Sequence, residues 1–416
     1  MPPFVKRSSR RVSASVWLLA SLLLSAAATA QVAPCSAPQA PAATASVTTV
    51  PVEVLNNHVY VRVCVNGREL QFILDTGSSG SPIDLSTASE MGIALQGRGV
   101  AHGAGPGTAA TARIDNVRAT IPGTSVVVPL GAALDLAGVS RGEGLRIEGI
   151  LGYTFLSQYV VAIDYRRHEL RLYDPKSFRY EGPGARVPLD LRQNQPHVDA
   201  ALRLSDGETI KGFFLVDVGS GGAVLLTKPF IEKHSIRSRV TPTIRVRGGG
   251  GVGGAVTSDV GRVASLNLGG NELQQPITGL FGDSAGVFSN SQWDGNIGGD
   301  VLRRFLVVFD YGRREMILER TEGSDEPFDA DMGGMRMRAG ATFSEITIVD
   351  VLSASPAGEA GILAGDRIVS VEGAAPTDRT MIELRQRLRR PGETVSLLLE
   401  RGDSRIPVRF TTRRLL

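Results

Sequence analysis

Two strings in this chain end an apolar run on an aspartate that is followed two residues later by glycine and then serine: FILDTGSSG at residues 72–80 and FFLVDVGSGG at 213–222. One such site could be a turn. Two in one chain suggest that Asp75 and Asp217 are brought face to face. Carboxylates pressed together cannot both ionise, so they hold one proton between them. Such a pair supplies an acid and a base at one place: one group deprotonates water while the other protonates a carbonyl. The flanking residues suit that task. Gly77 and Gly219 permit a tight loop. Ser78 and Ser220 can donate a hydrogen bond to the outer carboxylate oxygen, and the Thr76 hydroxyl can reach the backbone of the facing loop. Val218 stands where a second such hydroxyl is expected; it fills the space without the polar contact.

The elements that must carry these aspartates repeat. VYVRVCVNGRELQFILD has alternating apolar residues, an Asn66-Gly67 turn and a second apolar strand, which is a hairpin running into Asp75. VDAALRLSDGETIKGFFLVD does the same around Asp206-Gly207 and runs into Asp217, 142 residues after Asp75. Farther on, EGILGYTFL (148–156) aligns with DGNIGGDVL (294–302), and VVAIDYRRHEL (160–170) with LVVFDYGRREM (306–316), both at an offset of 146. Gly149, Gly152, Leu156, Asp164, Tyr165 and Glu169 recur as Gly295, Gly298, Leu302, Asp310, Tyr311 and Glu315. A drift of four residues over that length is one small loop insertion, so the pattern predicts two homologous all-β lobes. One position breaks it: Asn296 falls where an apolar residue is expected.

Each copy also carries a glycine-dense segment between its two motifs, GRGVAHGAGPG (97–107) and RGGGGVGGA (247–255). Gly103, Gly105, Gly250 and Gly251 let a backbone take positive φ and lie close to a ligand. A single segment of this kind reads equally well as a loop tip; two in equivalent places favour hairpin flaps over a cleft. A charged stretch, TEGSDEPFDAD (321–331), precedes a last unit. There Ser355 and Pro356 begin a short helix that Gly361 ends, followed by a strand at 367–371, a helix around 380–388 and a strand at 395–400. The Arg-rich stretch 385–390 is expected on the solvated face of that helix.

At 416 residues the chain has room for two or three domains with real cores. Its first thirty residues read as a signal peptide: Lys6, Arg7, Arg10 and Arg11, an apolar run from Val16 to Leu24, and Ala28-Thr29-Ala30 as the cleavage site. The apolar run is short for a membrane span and no second one follows. Removal of four cations takes the formal charge from +3 to −1, which leaves no electrostatic footprint for nucleic acid. Two cysteines, Cys35 and Cys64, are compatible with a disulfide in an exported protein or with two unrelated thiols. The five histidines have no metal-ligand spacing, so no metal site is expected.

These motifs resemble those of bacterial retropepsin-like aspartic proteases of the pepsin/retropepsin clan, with two fused lobes and a C-terminal PDZ domain. FILDTGSSG matches the family's hydrophobic–Asp–Thr/Ser–Gly motif, and EGILG and DGNIG resemble its later hydrophobic–hydrophobic–Gly element. SPA…AG…GD.I..V.G, read from residue 355, is similar to the PDZ domains of exported bacterial proteases. The resemblance implies a mainly β chain with an N-terminal lobe 51–185, a C-terminal lobe 186–320 and an α+β PDZ domain 332–416; composition adds a signal peptide 1–30, a flexible leader 31–50 and a linker 321–331. The resemblance implies an aspartic endopeptidase without cofactor, with Asp75 and Asp217 as catalytic pair and a polypeptide as substrate. It also implies a PDZ ligand peptide whose terminal carboxylate meets Gly333, Gly334 and Met335. Fused lobes make a monomer the expectation, and the exported chain is expected in the periplasm or outside the cell. Val218 and Asn296 depart from the pattern and motivate the alternative, a non-cleaving peptide-binding protein of the cell envelope.

Overall fold

Alternation of apolar and polar residues, cut by Asn-Gly and Asp-Gly turns, yields strands wherever the sequence calls for them. Strands His58–Val65 and Arg68–Leu74 pair antiparallel, and Asn66 and Gly67 between them both take positive φ (48° and 79°). The second hairpin is built from Gln195–Arg203 and Thr209–Asp217. The computed structural model describes Met1, Pro3, Cys35 and residues 47–416 other than 284, 290 and 291. The expected signal peptide, apart from Met1 and Pro3, lies outside the described residues. Everything below belongs to the compact unit that runs from Pro34 to Leu416.

An eight-stranded sheet runs in the order Glu53–Leu55, His58–Val65, Arg68–Leu74, Gly149–Leu151, Ile83–Asp84, Val127–Leu134, Thr108–Thr120, Gln96–His102. A ten-stranded sheet contains the order Asp190–Arg192, Gln195–Arg203, Thr209–Asp217, Gly295–Gly298, Val224–Leu226, Ile277–Phe281, Gly254–Arg262, Ile244–Gly251. The two orders correspond strand by strand. In each, the strand ending at the aspartate pairs in parallel with the later glycine motif: Phe72 opposite Gly149, and Phe214 opposite Gly295. We call these the first and second β units.

A six-stranded sheet joins them, in the order Val47–Pro51, Glu169–Tyr173, Val160–Asp164, Phe305–Asp310, Glu315–Arg320, Ala185–Pro188. At its centre Val161 faces Phe309 and Ile163 faces Val307. Under the repeat offset of 146, Val161 corresponds to Val307 and Ile163 to Phe309, so exchanging the two copies maps this register onto itself. One continuous apolar core runs through both units and includes Phe72, Phe155, Phe214, Phe281, Phe305 and Phe309, all fully buried. Each such side chain contributes about 2–3 kcal/mol.

The last unit has its own core, with Met335, Met337, Ile346, Ile348, Leu384 and Leu399 inside a five-stranded antiparallel sheet. Strand Met335–Ala339 is at the sheet's edge, beside helix Thr380–Arg387. Ser355 caps helix Pro356–Glu359, accepting from the Gly358 N–H at 3.2 Å.

Three expectations change. The leader does not stay free to residue 50: Val47–Pro51 pairs with Glu169–Tyr173, and Cys35 is disulfide-bonded to Cys64. The stretch 321–331 is packed down, because Arg304 donates to the carbonyls of Ser324, Glu326 and Pro327 and stacks over Phe328 at 3.6 Å. Arg385 is not on a solvated face; it is half-buried and donates to the carbonyls of Gly142 (2.6 Å), Glu143 (3.1 Å) and Met337 (3.4 Å). Its helix lies against the first β unit, which replaces water around that guanidinium.

Candidate active site

Each aspartate sits where a buried strand gives way to a glycine-containing loop, and the two loops interlock. A Cβ placed on Gly77 would be 3.0 Å from Asp217 Oδ1 and 3.1 Å from Asp75 Oδ1. One placed on Gly219 would be 2.5 Å from Asp75 Oδ1. Only glycine lets these two backbones approach the facing carboxylates so closely. Thr76 crosses between the loops: its hydroxyl donates to the Val216 carbonyl at 2.7 Å and accepts from the Val218 N–H at 2.9 Å. Val218 is fully buried and provides no such bond in return.

Asp75 Oδ1 accepts from the Gly77 N–H at 2.8 Å. The Ser78 hydroxyl does not hold a carboxylate oxygen, although the Ser78 backbone amide favours the ionised form of Asp75. The hydroxyl donates instead to the Gly80 carbonyl at 2.9 Å, and the backbone amide of Gly77 takes its place at Asp75. Ser220 lies beside Gly298, with its Oγ 3.0 Å from where a Cβ on that glycine would be.

The two carboxyl groups face each other, with Oδ1 of both within 3.1 Å of the point a Cβ on Gly77 would take. Burial, then the charge of Asp217, holds the Asp75 carboxyl well above the usual carboxylate range. Burial also raises Asp217, but donation from Asn296 and from Asp75 opposes it. Asp217 Oδ1 is buried and accepts no hydrogen bond from the described residues. Burial and the proximity of the two charges both disfavour full ionisation of the pair.

Several neighbours were not legible as site residues. Asn296, flagged only as a break in the repeat, donates from Nδ2 to Asp217 Oδ2 at 2.9 Å. Gln195 donates from Nε2 to the Gly77 carbonyl, and Asn57 to the Gly221 carbonyl at 2.8 Å, so each unit braces the other's loop. The repeated Tyr165 and Tyr311 are buried within electrostatic reach of the pair, which with burial raises both phenols. His58 is close enough to favour the ionised form of Asp217. The recurrence of Tyr165 as Tyr311 was a signal in the sequence; nothing marked Gln195.

The glycine-rich segments are hairpins whose tips meet. Gly105 N–H donates to the Val252 carbonyl (3.0 Å) and Gly107 N–H to the Gly253 carbonyl (2.9 Å). A Cβ on Gly105 would collide with Gly253, which itself takes φ 91°. Gly103 is beside Val252; Gly250 and Gly251 lie in the strand Ile244–Gly251 leading to the second tip. Val252 packs against an apolar cluster that includes Tyr60, Ile73, Leu136, Ile147 and Ile150. The expected flaps are thus brought together at their ends.

Residues 61–155 match the model of the aspartyl protease family, and residues 347–401 match that of the PDZ domain. The chain carries an aspartyl protease domain and a PDZ domain. The protease match includes Asp75 and the Gly149–Gly152 motif and ends before Asp217. No curated protein matches the chain.

In the PDZ unit the expected carboxylate loop is buried and engaged within the chain. Gly334 N–H donates to Asp331 Oδ1 at 2.6 Å, Gly333 sits against Leu388, and Met335 is in the core. Burial raises the Asp331 carboxyl, opposed by Arg336 and by the loop amides. Residues 142–144 of the first β unit lie where the helix and edge strand meet: Arg385 holds Gly142 and Glu143, and Met381 Cε is 2.8 Å from where a Cβ on Gly144 would be. On the flap side, Arg247 N–H donates to Asp350 Oδ2 at 3.1 Å. Among the described residues no helix is long and apolar enough to cross a membrane.

Proposed function

We propose that this protein is an aspartic endopeptidase built as two pepsin/retropepsin-type lobes in one chain, with Asp75 and Asp217 as its catalytic pair. The observation that carries the reading is the half-buried pair of carboxyl groups brought face to face between interlocked loops. With one proton on the pair, the ionised carboxylate takes a proton from water as that water attacks the peptide carbonyl. The protonated partner donates to the carbonyl oxygen, and the protons return to the pair and the leaving amine as the C–N bond breaks. The flap hairpins supply backbone that can cover an extended chain above the pair. The shared strand order and the self-consistent central register support the two-lobe, single-chain reading. The PDZ unit would take peptide or protein segments by strand addition once residues 142–144 leave the meeting of its helix and edge strand. The basic and apolar leader and the Cys35–Cys64 disulfide support export to an oxidising compartment.

The test is cleavage of a mixed peptide library by the mature chain from about pH 3 to about pH 8, alongside Asp75→Asn and Asp217→Asn. Cleavage that is strongest in acid and lost in both variants is the expected result. Equal inertness of all three proteins, with peptides still bound, would replace the endopeptidase with a non-cleaving peptide-binding protein.

A further inference from the structure

Besides Val218, the repeat is broken at a second buried position beside the aspartates, Asn296. Strand Gly149–Leu151 places Ile150 opposite Ile73, and strand Gly295–Gly298 places Asn296 opposite Leu215, two residues before Asp217. The first copy continues the apolar cluster of the cleft, where Ile150 is almost fully buried. The second puts an amide there instead, equally buried, with Nδ2 2.9 Å from Asp217 Oδ2. A buried amide in place of an aliphatic side chain is costly unless its hydrogen bonds repay desolvation. Here the side-chain bond goes to a carboxylate, and Asn296 Oδ1 has no donor among the described residues.

We propose that Asn296 is a positioning residue that makes the two aspartates unequal, holding Asp217 as the ionised partner and leaving the shared proton on Asp75. An N–H donor stabilises a carboxylate more than a carboxylic acid. Asp75 receives backbone amides but no side-chain amide, and its counterpart position offers only the methyl groups of Ile150. Backbone amides thus serve both aspartates, that of Gly219 acting on Asp217; the other groups acting on Asp217 are Asp75, His58 from the first β unit, and the phenols Tyr165 and Tyr311 from the central sheet. Asp75 and the uncharged phenols do not single out Asp217 for ionisation. His58 favours the ionised form of Asp217 through its charge alone, whereas Asn296 donates a hydrogen bond directly to Asp217 Oδ2. Asn296 acts at every pH. Asp217 is then the base toward water and Asp75 the acid toward the carbonyl oxygen.

This inference rests on the reading of the pair as hydrolytic, but its test need not. In the full mature chain carrying Asp75→Asn, Asp217 titrates without its coupled partner, and 13C NMR of labelled aspartate follows it. Adding Asn296→Ile, the residue of the equivalent position, should raise that titration by about one to two pH units. In an Asp217→Asn chain the same substitution should leave Asp75 unmoved. Asn296→Ala serves if the isoleucine variant does not fold. With both aspartates present, the acid limb of kcat/KM on a cleaved library peptide should move up by a similar amount, with kcat falling and KM little changed. Folded variants in which Asp217 titrates as before overturn the proposal. A wild type that cuts nothing while Asp217 still shifts overturns the endopeptidase reading and leaves the role of Asn296 standing.

Discussion

Thr76 and Val218 bind the two aspartate loops together from one side only: the threonine hydroxyl serves both the Val216 carbonyl and the Val218 N–H, and the valine returns nothing. In a symmetric arrangement two hydroxyls would share that task. Here one buried side chain carries it, and the continuous core and central sheet hold the two halves in place otherwise. Thr76→Val should therefore cost about 2 kcal/mol, because a buried N–H and a buried carbonyl both lose a partner. Denaturant midpoints measure that, and kcat should fall more than KM rises as the pair loses its alignment. Val218→Thr should alter stability by less than about 1 kcal/mol. A Thr76→Val protein as stable and active as wild type would show that fusion of the units alone sets the geometry.

The pair also ties stability to pH. Burial raises the carboxyl pKa of both aspartates over their unfolded values. Their favourable contribution is therefore complete below the unfolded carboxylate pKa and is lost as pH rises through the folded values. Asp75→Asn removes the carboxyl whose ionisation the fold disfavours, so folding of the variant no longer requires that group to take up a proton. The variant should be more stable than wild type at neutral pH, by on the order of 1–3 kcal/mol, and the difference should vanish in acid. Urea unfolding of both proteins at pH values on either side of the transition tests this. A stability gap that is constant with pH would mean that the pair does not titrate abnormally.

The Cys35–Cys64 bridge closes a separation of 29 residues and ties the segment before Val47–Pro51 to strand His58–Val65. Loop closure on that scale stabilises by roughly 3–4 kcal/mol if the reduced, unfolded chain is unstructured. Cys35→Ser with Cys64→Ser should lower the unfolding midpoint accordingly, and reductant should lower it in wild type but not in the double variant. If reductant leaves wild type unchanged, the bridge adds nothing to its stability.

Much of this architecture can be read from the sequence because backbone demands are written locally. The alternation around Asn66-Gly67 and around Asp206-Gly207 dictates the two hairpins, and the constant offset of Gly149 with Gly295 and Asp164 with Asp310 foretells the matched strand orders. The Ser355 cap and the helix after it were equally plain. What was not legible depends on contacts between segments distant in the chain. Ser78 looked like a carboxylate partner, yet a nearby carbonyl of Gly80 was the closer acceptor and the Gly77 amide already served Asp75. Asn296 looked like a flaw, since only the fold places its amide at Asp217. Arg385 looked solvated because nothing in a run of arginines says which of them meets another domain.

That misread arginine leads to the last expectation. Its guanidinium joins three elements: its own helix, the edge strand through Met337, and the first β unit through Gly142 and Glu143. Glu143 in turn lies 3.6 Å from Arg385 and 3.5 Å from His58, which is within electrostatic reach of Asp217. Removing the guanidinium leaves backbone carbonyls without their donor and Glu143 without its arginine, a cost of about 2 kcal/mol. Because these contacts lie between units and not inside either core, Arg385→Ala should open the junction without unfolding the PDZ sheet. Amide hydrogen exchange should quicken in 137–144 and 335–339 while 394–411 keeps its protection. Glu143→Gln should reproduce only a part of that effect, since the carbonyl contacts survive it. Unchanged exchange at 137–144 in Arg385→Ala would mean that the salt bridge of Arg379 with Glu53 and the Arg247–Asp350 bond hold the PDZ unit in place by themselves.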